Sequence, residues 1–133
     1  MTAPLPNLTK NQSLVFETLA EAGAPLSAYT ILDQLREHGF RAPLQVYRAL
    51  DKLLERGLIH RLESLNAFVA CQHKHSHGHQ GATVFVICGT CGDVNELHDQ
   101  VINDQIMRRA VEQKFQVESA MVELRGRCSG CAD

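Results

Sequence analysis

Pro43-Leu-Gln-Val-Tyr-Arg-Ala-Leu-Asp-Lys-Leu-Leu-Glu-Arg-Gly57 is the stretch whose reading decides the fold. Proline suits the first position of a helix, because the N–H it lacks would have no partner in that first turn. Val46, Leu50, Leu53 and Leu54 recur at helical spacing and form a buried face. Gln45, Arg48, Ala49 and Lys52 are left on or near the opposite face until Gly57 ends the helix. Directly after it, Leu58 to Ala70 reads as two short strands around a turn at Ser64 to Asn66. Upstream, Thr9 caps a helix that runs to about Ala22, with Leu14, Val15, Leu19 and Ala22 along its apolar side, and Gly23 and Pro25 stop it. Ser27 caps a second helix with Ala28, Ile31, Leu32 and Leu35 as its stripe, ended by Gly39. Three short helices followed by a hairpin form the winged helix-turn-helix, whose last helix enters the major groove of DNA.

Charge around that third helix is uneven. The whole chain of 133 residues carries 13 Lys+Arg against 15 Asp+Glu, which excludes a generally basic coat for nucleic acid. Yet Arg36, Arg41, Arg48, Lys52, Arg56 and Arg61 face only Glu37, Asp51 and Glu55 between residues 36 and 61. An isolated charged helix face usually does no more than solvate its helix. Here the positive charge is concentrated around the one helix that would read bases, where arginine can grip guanine with two hydrogen bonds. Tyr47 is either a core aromatic or a ring that packs on a thymine methyl. The 44% hydrophobic content supports a packed core, and neither a membrane span nor a secretory signal is visible, so the expected location is the cytoplasm.

Beyond residue 70 the composition changes: all five cysteines and five of the seven histidines lie there. We therefore expect a winged-helix domain at 1–70, a His-rich hinge at 71–82 and a second domain at 83–133. Cys88-Gly-Thr-Cys91 follows the apolar run Val84 to Ile87, and Cys128-Ser-Gly-Cys131 comes later, with 36 residues between the two pairs. Two residues between paired cysteines let both sulfurs reach one ion, and four thiolates suit tetrahedral zinc. A redox pair would expect a thioredoxin-like βαβ context, which is missing.

Cys71 is the odd thiol. A lone cysteine is commonly a buried hydrophobe, but this one precedes His73, His75, His77 and His79, with His60 one strand earlier and Glu96 just past the first cysteine pair. Thiolate, imidazole and carboxylate together fit zinc and argue against a hard ion such as magnesium. The bland reading of the histidine tract is a solvated loop that binds metal loosely, and one ion needs only some of these side chains. Between the cysteine pairs, Asp99 caps a helix to about Lys114 with Ile102, Ile106, Ala110 and Val111 as its stripe. Gln116 to Leu124 alternates as a strand, with Ala120, Val122 and Leu124 on one face and Val117, Ser119 and Met121 on the other, expected to pair with Val84 to Ile87 and Asp93 to Leu97. So small a sheet with one helix needs a second surface, either another copy of the chain or the first module. The fold class is α+β, a winged helix-turn-helix followed by a small α/β domain with a four-cysteine zinc site.

Ser27-Ala-Tyr-Thr-Ile-Leu32, Val46-Tyr-Arg-Ala-Leu50, Leu58-Ile-His-Arg-Leu-Glu-Ser64, Phe68-Val-Ala-Cys71 and Cys88-Gly-Thr-Cys-Gly-Asp-Val-Asn-Glu96 fall in a known order. The chain resembles the ferric uptake regulator family, over nearly its whole length, and within it the members that control zinc uptake. His60 and Cys71 carry the preference for zinc over iron.

The resemblance implies a zinc-responsive repressor, not an enzyme, with two zinc ions per chain, whose homodimer binds palindromic double-stranded operators of zinc-uptake genes. It implies no membrane and no small-molecule substrate. Cys88, Cys91, Cys128 and Cys131 would hold structural zinc. His60, Cys71, His79 and Glu96 would hold the regulatory ion, with His77 still open because His79 has the family's spacing from Cys71 but not from Cys88. Tyr47 and Arg48 would read bases and Tyr29 would touch phosphate, with Lys52 and Gln45 on the same face. Gln45 replaces the family's usual threonine, and the segment before Thr9 is shorter than usual, which would remove a helix that contacts DNA. Two rivals remain: a member that senses iron, and a constitutive DNA-binding protein with structural zinc alone. A zinc hydrolase using Glu96 as its base would need an open metal position holding water.

Overall fold

The computed structural model describes residues 7–71 and 82–132, which divide between two compact units, Met1–His77 and Gly78–Asp133. The first unit is built from α1 (Lys10–Ala22), α2 (Ala28–Leu35), a single 3-10 turn at Arg36–His38, α3 (Pro43–Glu55), β1 (Ile59–Leu62) and β2 (Ala67–Ala70). Thr9 and Gln12 satisfy each other's backbone at the start of α1, the hydroxyl accepting from the Gln12 N–H at 3.2 Å and the Gln12 carbonyl from the Thr9 N–H at 3.1 Å. Ser27 caps α2 by accepting from the Thr30 N–H. Gly23 and Gly39, at φ of 63° and 95°, supply the left-handed residues at which the chain turns away.

The three helices close on one core in which Val15, Ile31, Val46 and Leu53 are fully buried. Phe40, in the loop before α3, fills the same core although no helical period marks it. Ala49 is also buried, against the expectation that it lies on the outer face of α3: a methyl group lets neighbouring elements approach closely there. Leu54 is only partly buried, and Ala22 is exposed at the frayed end of α1. The wing is an antiparallel hairpin with His60 opposite Val69 and Arg61 opposite Phe68, its turn using Asn66 at φ 49°. Backbone hydrogen bonds in both directions between Leu26 and Phe68, 3.0 and 2.8 Å long, pin the wing to the start of α2.

In the second unit β3 (Thr83–Cys88) is the central strand, β4 (Val94–Leu97) runs antiparallel to it, and β5 (Met121–Gly126) runs parallel on its other side. The crossover from β4 to β5 contains α4 (Gln100–Glu112), in whose first turn the N–H groups of Val101 and Ile102 donate to Asp99 Oδ1. α4 stops at Glu112 rather than near Lys114, because Lys114 itself is left-handed at φ 56°. The last strand is also displaced from the expected one: Gln116 to Ala120 stays outside it, and it pairs with β3 alone, since β3 separates it from β4. Alternation in sequence marks extended backbone without saying which neighbour it meets. Phe85 and Ile87 are buried on β3, whereas no described residue of α4 is buried.

Among the described residues no helix is long and apolar enough to cross a membrane. Ile31, with no exposed surface, is expected to be costly to truncate: Ile31→Ala should destabilise the first unit by about 2–5 kcal/mol, seen as a lower urea midpoint.

Candidate metal centres and nucleic-acid face

Parallel pairing of β3 with β5 sets Cys88 opposite Gly126. The Gly89 N–H donates to the Gly126 carbonyl at 2.8 Å, so the chain carries Cys128 back over the end of β3. Each cysteine pair is itself a tight turn: Gly92 N–H donates to Cys88 O at 2.9 Å, with Gly92 at φ 79°, and Cys131 N–H to Cys128 O at 3.0 Å. Cys88, Cys91, Cys128 and Cys131 therefore converge, with their sulfurs all within 4.8 Å of one another. The sulfurs of Cys91 and Cys128 are 3.8 Å apart. A tetrahedron with metal–sulfur bonds of about 2.3 Å has edges of about 3.8 Å, so the donor set fits a zinc ion.

Electrostatics within the cluster are uneven. Backbone N–H groups of Cys91 and Cys128, each 3.4 Å from the Cys88 sulfur, lower the Cys88 thiol to about 6. Cys91 gains from the Asp93 N–H, but its contacts with the thiols of Cys88 and Cys128 outweigh that and raise it. Cys131 is pushed up to about 12 by Cys128 first, then by Cys88 and Cys91. Four adjacent thiols cannot all ionise without a cation among them, and a divalent ion removes that conflict.

The second grouping begins on the wing. Cross-strand partners share a face, and so do residues two apart on one strand. His60 is opposite Val69, and Cys71 lies two residues beyond Val69, held by its N–H to the Leu58 carbonyl at 2.9 Å. The ligand atoms of His60 and Cys71 accordingly lie within 4.8 Å of each other, His60 being buried and Cys71 half-buried. An imidazole beside a thiol is a zinc-binding pair. In the second unit Glu96 lies on β4 opposite Phe85, its side chain buried. His98, which sequence reasoning passed over, places its Nε2 3.2 Å from Glu96 Oε2; the only signal for it was a histidine two residues past that carboxylate. His73, His75, His77 and His79 lie outside the described residues.

On the first unit Tyr29, Tyr47, Arg48 and Lys52 are all exposed, and the exposure of Tyr47 removes its reading as a core aromatic. Lys52 Nζ lies 3.7 Å from Glu55, a surface pair that constrains it little. Gln45 differs from the rest. Its side-chain oxygen accepts from the N–H groups of Arg41 at 2.6 Å and Ala42 at 3.0 Å, so a side chain expected on the DNA-facing side caps α3. Leu44, exposed beside it, was not anticipated.

The profile of the ferric uptake regulator family matches residues 7–125. This chain belongs to the ferric uptake regulator family. It is thus a transcription regulator and not an enzyme. The family member is 35% identical to the zinc uptake regulation protein of Escherichia coli (strain K12) over 127 residues, covering 95% of this chain and 73% of the relative. Among solved structures it is similar to holo XcZur, 41% identical with a TM-score of 0.81 over 92% of this chain and 84% of that one. It is also similar to a zinc uptake regulator in complex with zinc and DNA, 32% identical with a TM-score of 0.82 over 93% of this chain and 82% of that one.

A depressed thiol is charged above its pKa and protonated below it, which sets the proton balance of metal uptake. The first zinc equivalent added to the reduced, metal-free protein should release fewer than four protons at pH 7, where Cys88 is already mostly thiolate. At pH 5 about one more proton should appear, as measured by calorimetry in buffers of different protonation enthalpy.

Proposed function

We propose that this family member is a cytoplasmic zinc-responsive transcriptional repressor whose zinc-loaded homodimer binds palindromic operators of zinc-uptake genes. The observation that carries the reading is the likeness, over more than nine-tenths of the chain, to a zinc uptake regulator in complex with zinc and DNA. Structural zinc is assigned to Cys88, Cys91, Cys128 and Cys131, and the sensory ion to His60, Cys71, Glu96 and one histidine of the tract, His79 by its spacing from Cys71. The proposed domains are a DNA-binding domain at 1–70, a hinge at 71–82 and a dimerisation domain at 83–133.

In this reading zinc, when bound, supplies a positive charge that only a convergent set of donors can satisfy. His60 and Cys71 come from the wing and Glu96 from the dimerisation domain, so filling the site favours whichever domain arrangement brings these donors together. The operator-binding arrangement spaces two copies of α3 by one or more helical turns of DNA. Dimer formation is supported by apolar surface left open on the second unit: Val101, Val111, Phe115 and Leu124 are each at least half exposed. Arg48 and Tyr47 face base edges and Tyr29 a phosphate, while Lys52 adds attraction to the backbone.

The test is capture of fragmented genomic DNA at fixed salt across buffered free zinc. Recovery of a few palindromic fragments only as zinc rises supports the reading, and zinc-independent recovery overturns it in favour of a DNA-binding protein with structural zinc alone. Cys71→Ser should keep the fold and one zinc per chain yet lose zinc-dependent binding in the same assay. Arg48→Ala should weaken specific operator binding by about 1–3 kcal/mol with metal content unchanged, as measured by fluorescence anisotropy and metal analysis.

A further inference from the structure

A single exposed leucine is ordinary on a protein surface, so the place of Leu44 matters more than its exposure of 57%. Leu44 is the second residue of α3 and lies in its first turn. Residues three and four apart are neighbours on a helix surface, which sets Leu44 beside Tyr47 and Arg48. All three are exposed, and Leu44 takes no part in the core that Val46, Leu50 and Leu53 fill from the same helix. The next residue, Gln45, is committed elsewhere. The oxygen of a side-chain amide has two lone pairs, and in Gln45 the N–H groups of Arg41 and Ala42 take them. Glutamine reads adenine with two hydrogen bonds, its oxygen accepting from the N6 amine and its nitrogen donating to N7. With the oxygen engaged in the cap, that pattern is closed to Gln45. Of the two side chains that precede Val46-Tyr-Arg48, the polar one holds the helix start and the apolar one stands free.

The N-terminal residues of a recognition helix are the ones that reach base edges. In the major groove the apolar group that a base pair presents is the C5-methyl of thymine. We propose that Leu44 is a specificity-determining residue of the DNA face, its side chain packing against the C5-methyl of a thymine in each operator half-site. The proposal rests on the reading that α3 enters the major groove. Side chains one helical turn apart are about 5–6 Å apart at Cβ, and stacked bases are about 3.4 Å apart. The thymine therefore lies within about two base pairs of the base that Arg48 contacts. Leucine and methyl both face water before they meet, so the contact removes apolar surface from water on each side. Cytosine, which has no methyl there, gains nothing from it.

The experiment uses the full-length, zinc-loaded protein and a duplex recovered by capture of genomic DNA. Each thymine of one half-site is replaced in turn by deoxyuridine, which lacks only the methyl group, and affinity is read by fluorescence anisotropy. At one thymine the parent protein should lose affinity about fourfold, the worth of one buried methyl. Leu44→Ala should weaken binding of the thymine duplex about tenfold across its two half-sites and keep the parental urea midpoint. At the sensitive position it should bind thymine and deoxyuridine duplexes alike, whereas at every other thymine it should respond as the parent does. Leu44→Met, apolar and of similar length, should restore sensitivity to the methyl. Arg48→Ala separates this role from the reading beneath it. If Arg48→Ala weakens binding while no thymine distinguishes Leu44→Ala from the parent, the role of Leu44 falls and base reading by α3 survives. If neither substitution changes binding, or no specific duplex is recovered, both fall. A loss in Leu44→Ala when the parent is indifferent to every deoxyuridine would assign the leucine to a contact between protein copies, and would overturn the proposal.

Discussion

The parallel pairing of β3 with β5 is the constraint on which the second unit depends. Cys88 ends β3, and the register of that pairing sets it opposite Gly126, two residues before Cys128. Without this registry the two cysteine pairs are separate turns with no reason to meet. With it, the turns share one end of the sheet and their four sulfurs occupy a volume that suits a single tetrahedral ion. The electrostatic consequence follows from the same crowding: backbone N–H groups draw charge onto Cys88 while Cys91 and Cys131 are held back from ionising. An ion held there would stabilise the sheet in turn, because metal binding energy in so small a domain is also folding energy.

A second backbone constraint operates in the wing. The hairpin puts His60 across from Val69, and one further hydrogen bond from Cys71 to Leu58 carries the ladder far enough to bring thiol and imidazole together. The same hairpin is bonded to the start of α2 through Leu26 and Phe68, and α2 packs with α3 in one core. A candidate ligand pair and the helix bearing Tyr47 and Arg48 thus belong to one compact unit. Gln45 has a structural task there, since its side chain holds the first turn of α3.

Much of this was legible in advance where the signal is local. Caps at Thr9, Ser27 and Asp99 and the apolar periods of α1 to α3 are statements about neighbouring residues, and the structure agrees with them except at Ala22 and Leu54, while Gly39 closes the 3-10 turn that follows α2 rather than α2 itself. Legibility fails where a long-range contact decides. Ala49 is small enough to suit either face of a helix, and only close packing puts it inside. The apolar stripe of α4 indicates a face to be covered but names no cover, and the described residues of that helix remain outside the core. The last strand was displaced because alternation continues through Val117 and Ser119, where no described strand pairs with the chain.

By itself, the sequence determined the chemistry: which residues carry thiol, imidazole and carboxylate, around which helix the basic residues gather, and an order of motifs specific enough to identify the family. Those properties belong to residue types and short spacings, so they survive in a one-dimensional string. Tertiary structure alone decided the pairing of distant groups. The meeting of Cys88 with Cys128 across 40 positions, the approach of Cys71 to His60 and the contact of His98 with Glu96 all depend on strand register. Register is fixed by which faces are buried and how the turns close, a balance over the whole domain that no local spacing encodes.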